Sequence, residues 1–453
     1  MTQRSDQIRL GAFLMATGHH VAAWRHPGAK ADAGADLEHY VAIARTAEDA
    51  GFDMVFLADS QGSMVDQEDP AASRFVSQVA TFEPITLLSA IASRTSHIGL
   101  VATATTTYYE PYLLARLFAS LDLLSGGRAG WNLVTSALRQ EAQNFNLDHH
   151  PEPEARYARA EEFADVTKGL WQSWQDDAFP RDKASGVFFD PARIHPLNHR
   201  GAHFSVAGPL NVPRSTQGHP VVVQAGSSEP GRALAARTAE VIFTAHQTLE
   251  SAQAFYADIK GRLPAFGRRA EDLRIMPGVF PVVGATEAEA LEKYEELQSL
   301  ILPEVALRFL ASVFNRPELL EHPIDEPLPD WLEVDGRASR PALLLELARR
   351  EGLTARELHL RVAGARGHWT IHGTAASIVD RLEAWFDGYG ADGFNIMPPY
   401  LPGGLDDFVG HVVPELQRRG RFRKSYAGTT LREHLGLPYP THPHHAIRAE
   451  AAE

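Results

Sequence analysis

Short runs of consecutive apolar residues recur along the chain between longer stretches in which apolar residues are spaced three and four apart. The runs are typical of buried parallel strands and the spaced stretches of amphipathic helices. Eight runs, centred near residues 10, 55, 100, 130, 222, 242, 278 and 395, alternate with helical stretches. No GxGxxG motif follows the first run, as an open dinucleotide-binding sheet would require. The pattern therefore predicts an α/β protein with a closed (β/α)8 TIM barrel.

The length predicts one domain with insertions. A barrel of this kind takes roughly 250 residues, and the chain has 453. We expect a single domain over 1–453, with helical and extended insertions near 180–215 and 287–365. A tail, 438–453, is expected to be loosely ordered.

The composition argues against several classes of function. A formal net charge of −14 without a Lys/Arg stripe disfavours nucleic-acid binding. The chain has no apolar run near the ~20 residues of a membrane helix, and no signal-peptide core follows Met1. The absence of cysteine excludes disulfides and thiolate metal sites. We expect a cytoplasmic enzyme that binds neither membrane nor nucleic acid.

Polar side chains follow the predicted strands. In a barrel, the residues beyond the carboxyl ends of the strands meet at one mouth. The candidates there are the loop 19–26, Asp59, Thr103, Thr105, Asn132, Thr135, Gly226, Ser227, Ser228 and Asn395. This weakly charged set suits the binding of a large polar cofactor. Asp59, Asn132 and Thr135 could instead be ordinary turn or helix caps.

The most specific local signal is Gly226-Ser227-Ser228 before a predicted helix. Backbone N–H groups and hydroxyls at a helix N-terminus are suited to holding a phosphate. A serine N-cap is the alternative interpretation.

The histidines raise the alternative of a metal-dependent barrel hydrolase. His19 and His20 are adjacent, and consecutive side chains of a strand point to opposite faces. His195, His199 and His203 are four apart, but Pro196 argues against a helix that presents them together. We therefore expect no metal site.

Several motifs carry a resemblance to a known family. The stretch Gly-Gly-Arg-Ala-Gly-Trp-Asn-Leu-Val-Thr-Ser at 126–136 resembles the signature of the bacterial luciferase-like flavin monooxygenases. The resemblance is nearest to the branch of nitrilotriacetate and dibenzothiophene-sulfone monooxygenases. Segments 23–27, 57–59, 224–228 and 398–435 support it, and it extends from Arg9 to Leu437.

The resemblance implies a two-component monooxygenase. Such an enzyme uses reduced FMN, supplied by a separate NAD(P)H:flavin reductase, and O2 to oxygenate a small organic substrate through a flavin peroxide. Arg25 is the only clear cation of the mouth loops, which favours a neutral or heteroaromatic substrate. A flavin-degrading, riboflavin lyase-type oxygenase is the alternative within the family. We expect a homodimer or homotetramer.

The resemblance also assigns roles to residues. Asp59, Thr103, Thr105, Asn132 and Thr135 would contact the isoalloxazine and ribityl parts of FMN. The phosphate would be held by Tyr157 with Gly226, Ser227 and Ser228. His20, His26 and Asn132 are the catalytic candidates, although both histidines could be ordinary loop residues.

One departure from the family pattern affects the flavin site. Relatives commonly have a histidine four residues before the tyrosine of the long helix, where this chain has Pro153. That histidine contact is therefore missing, or is supplied by His149 or His150.

Overall fold

The barrel is seen in a computed structural model, which describes residues 4, 6–65, 70–136, 138–333, 339–363 and 367–444. The strands are β1 (Arg9–Leu14), β2 (Met54–Leu57), β3 (Gly99–Thr105), β4 (Ala129–Val134), β5 (His199–Arg200), β6 (Ser205–Val206), β7 (Val221–Gln224), β8 (Val241–Thr244), β9 (Arg274–Val283), β10 (Trp369–Gly373) and β11 (Gly393–Ile396). Eight of them close a parallel barrel in the order β1-β2-β3-β4-β7-β8-β9-β11, with β11 paired back to β1. The predicted (β/α)8 barrel and its eight strands are confirmed.

Strand β10 was not predicted. It pairs with the second half of β9, from Trp369 beside Val279 to Gly373 beside Val283. The first half of β9, Arg274 to Pro277, pairs with β8. Because β9 is ten residues long, β8 can pair with its first half and β10 with its second half along the same edge. The apolar pattern did not reveal β10 because its side chains are mostly half-buried.

Helices surround the barrel. They are α1 (Leu37–Asp49), α2 (Pro84–Ala92), α3 (Pro111–Leu124), α4 (Pro153–Trp171), α5 (Glu229–Thr238), α6 (Leu249–Arg262), α7 (Glu287–Ser299), α8 (Pro303–Phe314), α9 (Ser339–Glu351), α10 (Ala355–Ala363), α11 (Ala375–Asp387), α12 (Gly403–Asp407), α13 (Val413–Arg418) and α14 (Leu431–Leu435). A π-helical turn, Phe408–Val412, joins α12 to α13.

The core has two layers. Inside the barrel, the ring of Phe13 lies 4.7 Å from that of Phe56 and 5.2 Å from that of Phe243. Between the strands and the helices, the buried ring of Trp131 packs within about 6 Å of aromatic rings from α3 and α4. The inner layer fills the barrel beneath its mouth, so a ligand can enter only above it.

The insertion over 287–365 holds α7 to α10 and has an apolar core of its own, formed by residues such as Leu310, Phe314 and Leu358. Among the described residues, no single helix has the length and apolar content needed to cross a membrane. Helices α7 and α8 meet those criteria only when they are joined across an 80° bend. The other insertion, near 180–215, carries the β5–β6 hairpin.

Part of the predicted tail makes contacts with the rest of the chain. Within 438–444, the His442 ring is buried, and its Nε2–H donates to the carbonyl of Gln172 at 2.9 Å. Arg214 donates to the carbonyl of Pro440. His442 and Pro440 thus contact the residues of the barrel that surround them, while 445–453 lie outside the described residues. The loosely ordered tail over 438–453 stays a prediction.

The signature stretch at 126–136 begins with a turn that only glycine adopts readily. Gly126 and Gly127 have φ values of 71° and 91°, and they end the loop after α3. Arg128 follows with its guanidinium buried. It donates to the carbonyls of Ala92, Thr95, Ile98 and Ser125 at 2.7–3.0 Å. This one side chain therefore joins the ends of α2 and α3 to the start of β4.

We predict that Arg128→Met lowers the free energy of unfolding by ~3 kcal/mol, because several buried carbonyls lose their donor. Urea denaturation measures the change. Arg116→Met, at an exposed position of α3, is the control and should change stability little. Equal stability of the two variants would contradict the assigned role of Arg128.

Candidate active site

The ends of β2, β3 and β4 are joined by one chain of hydrogen bonds. Thr103 and Asn132 are register partners on β3 and β4. The Asn132 amide donates to Thr103 Oγ1 at 2.8 Å, and Thr103 donates to the carbonyl of Leu57 at 2.8 Å. Asn132 is only 3% exposed, and its Oδ1 has no hydrogen-bond partner among the described residues. A buried acceptor without a donor is uncommon and marks a position where a ligand can bind.

The turn after β4 has a special backbone conformation. Ser136 has a φ of 57°, and its hydroxyl donates to Thr105 Oγ1 at 2.9 Å. The carbonyl of Thr135 accepts from Thr107 Oγ1 at 2.7 Å and from Arg156 at 3.0 Å. These bonds fix the loop that carries the Thr135 side chain.

A carboxylate with a perturbed pKa follows β2. Burial raises the pKa of Asp59 to about 6, partly offset by hydrogen bonding. Gln61 donates to Asp59 Oδ2 at 2.8 Å. Asp59 therefore changes its charge near neutral pH.

The position of the Asp59 loop depends on Glu141, which the sequence did not identify. The Glu141 carboxylate is 2% exposed and accepts from the backbone of Gln61 at 2.9 Å and of Leu138 at 3.2 Å. It thereby joins the loop after β2 to the loop after β4. No motif marks this residue, because it is a single glutamate in a polar stretch.

The loop after β7 leads directly into α5. Ser228 is the N-cap of this helix, and its hydroxyl accepts from the Gly231 N–H at 3.3 Å. The hydroxyls of Ser228 and Tyr157 are hydrogen-bonded at 3.0 Å. A Cβ on Gly226 would lie 2.9 Å from Gly231 Cα, so only glycine allows the loop to pack this closely on the helix. The N-cap interpretation is correct for Ser228, and it leaves the helix N-terminus facing the same opening.

These loops enclose a cavity of about 340 Å³. Six of the predicted site residues line it, namely Asp59, Thr103, Thr105, Thr135, Tyr157 and Gly226. Asn132 lies directly behind Thr103, and Ser227 and Ser228 are exposed beside Gly226. Gln224, which was not among the predicted site residues, also lines the cavity and has a buried Oε1 without a partner in the described structure.

The two candidate catalytic histidines lie at the contact with the 287–365 insertion. His20 Nε2–H donates to Gln298 Oε1 at 2.9 Å, and His20 Nδ1 accepts from the N–H of Ala22 at 3.2 Å. Burial lowers the pKa of His20 to about 4, which keeps the ring neutral. His26 stacks on Tyr400 at 3.8 Å and lies 3.9 Å from Glu296. Neither is among the described residues that line the cavity, so a catalytic role for them stays a prediction.

His149 and His150, the candidates to replace the family histidine that is missing at Pro153, differ in their surroundings. Pro153 occupies the first turn of α4. His150 Nδ1 lies 2.6 Å from the hydroxyl of Tyr108, whose ring stacks on Phe145 at 4.6 Å. His149 is exposed. His150 is thus the one of the two that is ordered beside a mouth residue.

The chemistry of the cavity wall favours binding over acid–base catalysis by the chain alone. The polar side chains of the lining are mostly hydroxyls and amides, with Asp59 and Glu141 as its carboxylates. Among the described residues, no group of three or more His, Asp or Glu could hold a metal ion. An amide acceptor without a donor beside Thr103 and a helix N-terminus beside Gly226 suit a ligand that has a hydrogen-bonding ring system and an anionic group.

Comparisons with known proteins identify the family. The model of the luciferase-like monooxygenase family matches residues 13–393. The chain is 53% identical to N-acetyl-S-(2-succino)cysteine monooxygenase of Bacillus subtilis (strain 168), over 97% of this chain and 99% of the relative. It is 52% identical to nitrilotriacetate monooxygenase component A of Aminobacter aminovorans, over 96% and 98%.

A solved structure supports the same assignment. The crystal structure of a riboflavin lyase with modified FMN and the substrate riboflavin superposes with a TM-score of 0.83 at 31% identity, covering 96% of this chain and 97% of that one.

The resemblance inferred from the motifs is confirmed, and the metal-dependent hydrolase alternative is set aside. A flavin cofactor follows from the family, and the chain is a monooxygenase. The chain belongs to the luciferase-like monooxygenase family.

Proposed function

We propose that the protein is the oxygenase of a two-component system and that it binds reduced FMN in the cavity at the barrel mouth. The observation that carries the proposal is the buried Oδ1 of Asn132, an acceptor without a donor beside a pre-ordered Thr103 hydroxyl. A flavin ring system offers N–H donors and carbonyl acceptors to such a pair. Asp59, Thr105 and Thr135 complete this end of the proposed flavin site.

The phosphate of FMN is proposed to bind at the other end of the cavity. The N-terminus of α5 carries a partial positive charge and free N–H groups, which stabilise an anion. Ser227, Ser228 and Tyr157 add hydroxyl donors, and Gly226 keeps the backbone close. This site follows β7 and Asp59 follows β2, and β3 and β4 separate these two strands in the barrel.

When bound, reduced FMN supplies the electrons that activate O2 for transfer of one oxygen atom. The chain has three tasks around it. Asn132 and Thr103 orient the ring system, the loops joined by Glu141 exclude water, and Asp59 can hold or release a proton near neutral pH. Exclusion of water protects the activated oxygen from unproductive release.

We propose that an NAD(P)H:flavin reductase supplies the reduced FMN. The first strand is not followed by the glycine fingerprint that binds a dinucleotide. The name of the relative from Aminobacter aminovorans, component A, is consistent with a second component. The expectation of a homodimer or homotetramer remains part of this proposal.

Turnover should therefore depend on the reductase. We predict that the purified protein oxygenates substrate with FMN, NADH and a flavin reductase present, and that NADH or NADPH alone supports no turnover. Oxygen uptake and product formation are measured together. Tight binding of NADPH with direct turnover would contradict the two-component assignment.

The phosphate site can be tested by the contrast between FMN and riboflavin. We predict that the double variant Ser227→Ala, Ser228→Ala weakens FMN binding about tenfold, since lost phosphate hydrogen bonds are worth roughly 1.4 kcal/mol. Riboflavin binding should stay within twofold. Quenching of flavin fluorescence gives both affinities.

Two controls separate this effect from loss of the helix cap. Ser228→Asn retains an N-cap side chain, and Ser120→Ala, on α3, lies away from the mouth. A thermal melt of each variant reports folding. Equal losses for FMN and riboflavin would place the phosphate elsewhere.

Asp59 should make stability depend on pH. Its pKa is about 6 in the folded protein against an ordinary value of 3.8, so the folded state keeps a proton that the unfolded state releases. This stabilisation is present below 3.8 and is lost as the pH rises through 6. We predict that Asp59→Asn is more stable than the wild type by about 3 kcal/mol at pH 8 and by about half of that at pH 5.

Urea denaturation at the two pH values measures this difference. Asp148→Asn, at an exposed position, is the matched control and should show no such trend. A difference between Asp59→Asn and the wild type that does not change with pH would contradict the perturbed titration of Asp59.

A further inference from the structure

A second cavity, of about 520 Å³, adjoins the proposed flavin cavity. The two share Asp59, Ser60 and Gln61 as a common wall. The second cavity, here called the side chamber, extends from this wall between the end of β1 and the segment 78–84. A molecule in the side chamber would therefore lie next to the Asp59 end of a bound flavin.

The side chamber has an apolar surface that the described part of the chain leaves exposed. Tyr40 and Leu87 form buried parts of its wall. Met64, Val79 and Phe82, which also line it, are 44%, 40% and 38% exposed. A group of exposed large apolar side chains around a concavity is typical of a ligand-binding site.

The charged residues described in the lining of the side chamber are all acidic. Asp59 and Glu83 are its ionisable lining residues apart from tyrosine, and none of the described lining residues is Lys, Arg or His. The charges of Glu83 and Glu141 add to burial in raising the pKa of Asp59. The oxygens of Glu83 accept from the backbone N–H groups of Ile85 and Thr86 at the start of α2. A carboxylate of a ligand would find no Lys, Arg or His among the described lining residues to pair with.

The arginines near the mouth are engaged elsewhere. Arg25 donates to the carbonyl of Leu300 in the insertion. Arg74 pairs with Glu304 at 3.0 Å, and Arg156 donates to the carbonyl of Thr135 at 3.0 Å. Arg74 is therefore paired with a carboxylate. Arg25 and Arg156 keep their charge but are held at carbonyl groups outside the lining of the side chamber.

We infer that the side chamber receives the organic substrate, and that this substrate is an uncharged compound with an apolar body. The described lining holds no cation to bind a polycarboxylate, while Met64, Val79 and Phe82 hold an apolar group beside the flavin. The inference rests on the proposed function. According to this inference, Phe82 and the uncharged residue Thr81 determine which substrates bind.

A matched pair of probes tests this inference. Methyl (phenylthio)acetate is neutral, and (phenylthio)acetate differs from it by an exposed carboxylate. Calorimetric titration of each probe into the protein, with and without oxidised FMN, gives the affinities without turnover. We expect the ester to bind at least tenfold more tightly than the anion, because Asp59 repels a carboxylate and the described lining offers no cation to pair with it. Nitrilotriacetate should not bind measurably.

Variants of the chamber sharpen the test. Phe82→Ala should weaken binding of the ester about tenfold and leave the affinity for FMN within twofold. Thr81→Arg adds a cation at an exposed position of the lining and should reduce the preference for the ester at least fivefold. Thr81→Gln is the uncharged control and should keep the wild-type preference.

The possible outcomes test the inference and the proposed function separately. Equal affinity of the wild type for ester and anion, or tight binding of nitrilotriacetate, would overturn the inference even if FMN binds. The inference would also fail if Phe82→Ala left ester binding unchanged. Absence of FMN binding would overturn the proposed function, while the titrations without FMN would still decide whether the chamber selects uncharged compounds.

Discussion

The hydroxyl of Thr103 holds together the part of the barrel on which the site depends. It donates to the end of β2 and accepts from Asn132 of β4, so three neighbouring strands end at one fixed level. Parallel strands in a closed barrel necessarily present their carboxyl ends to one opening. The bond between Thr103 and Asn132 uses one half of the Asn132 amide and leaves the other half, Oδ1, buried and without a donor. The Asn132 side chain thus stabilises the strands and also offers an acceptor to a ligand.

The rest of the site is arranged by charge. The negative groups Asp59, Glu83 and Glu141 lie around the loop after β2, while the N-terminus of α5 lies beyond β7. An anionic group of a ligand is therefore favoured at one end of the mouth and disfavoured at the other. This polarity orients the proposed flavin and, by the same argument, limits the charge of a substrate that approaches from the Asp59 side.

Much of this arrangement could be predicted from the sequence. The parts that could not be predicted carry no local signal in the sequence. The apolar runs predicted the eight barrel strands because a strand buried on both faces must be apolar throughout. Strand β10 is only half-buried and carries no such signal. The polar residues after the strands marked the lining of the cavity. Glu141 acts through contacts distant in sequence, which periodicity cannot reveal. Gln224 is the last residue of β7, where it ends an apolar run. The burial of His442 likewise depends on a tertiary contact, with the carbonyl of Gln172 at the end of α4, which a local pattern cannot reveal.

The most direct test of the account is a crystal structure of the protein in complex with FMN. We predict that the phosphate contacts Ser227, Ser228 and the N-terminus of α5, and that the Oδ1 of Asn132 accepts a hydrogen bond from the ring system. Binding of the phosphate at another loop, or a flavin that leaves Asn132 Oδ1 without a donor, would contradict the central claim.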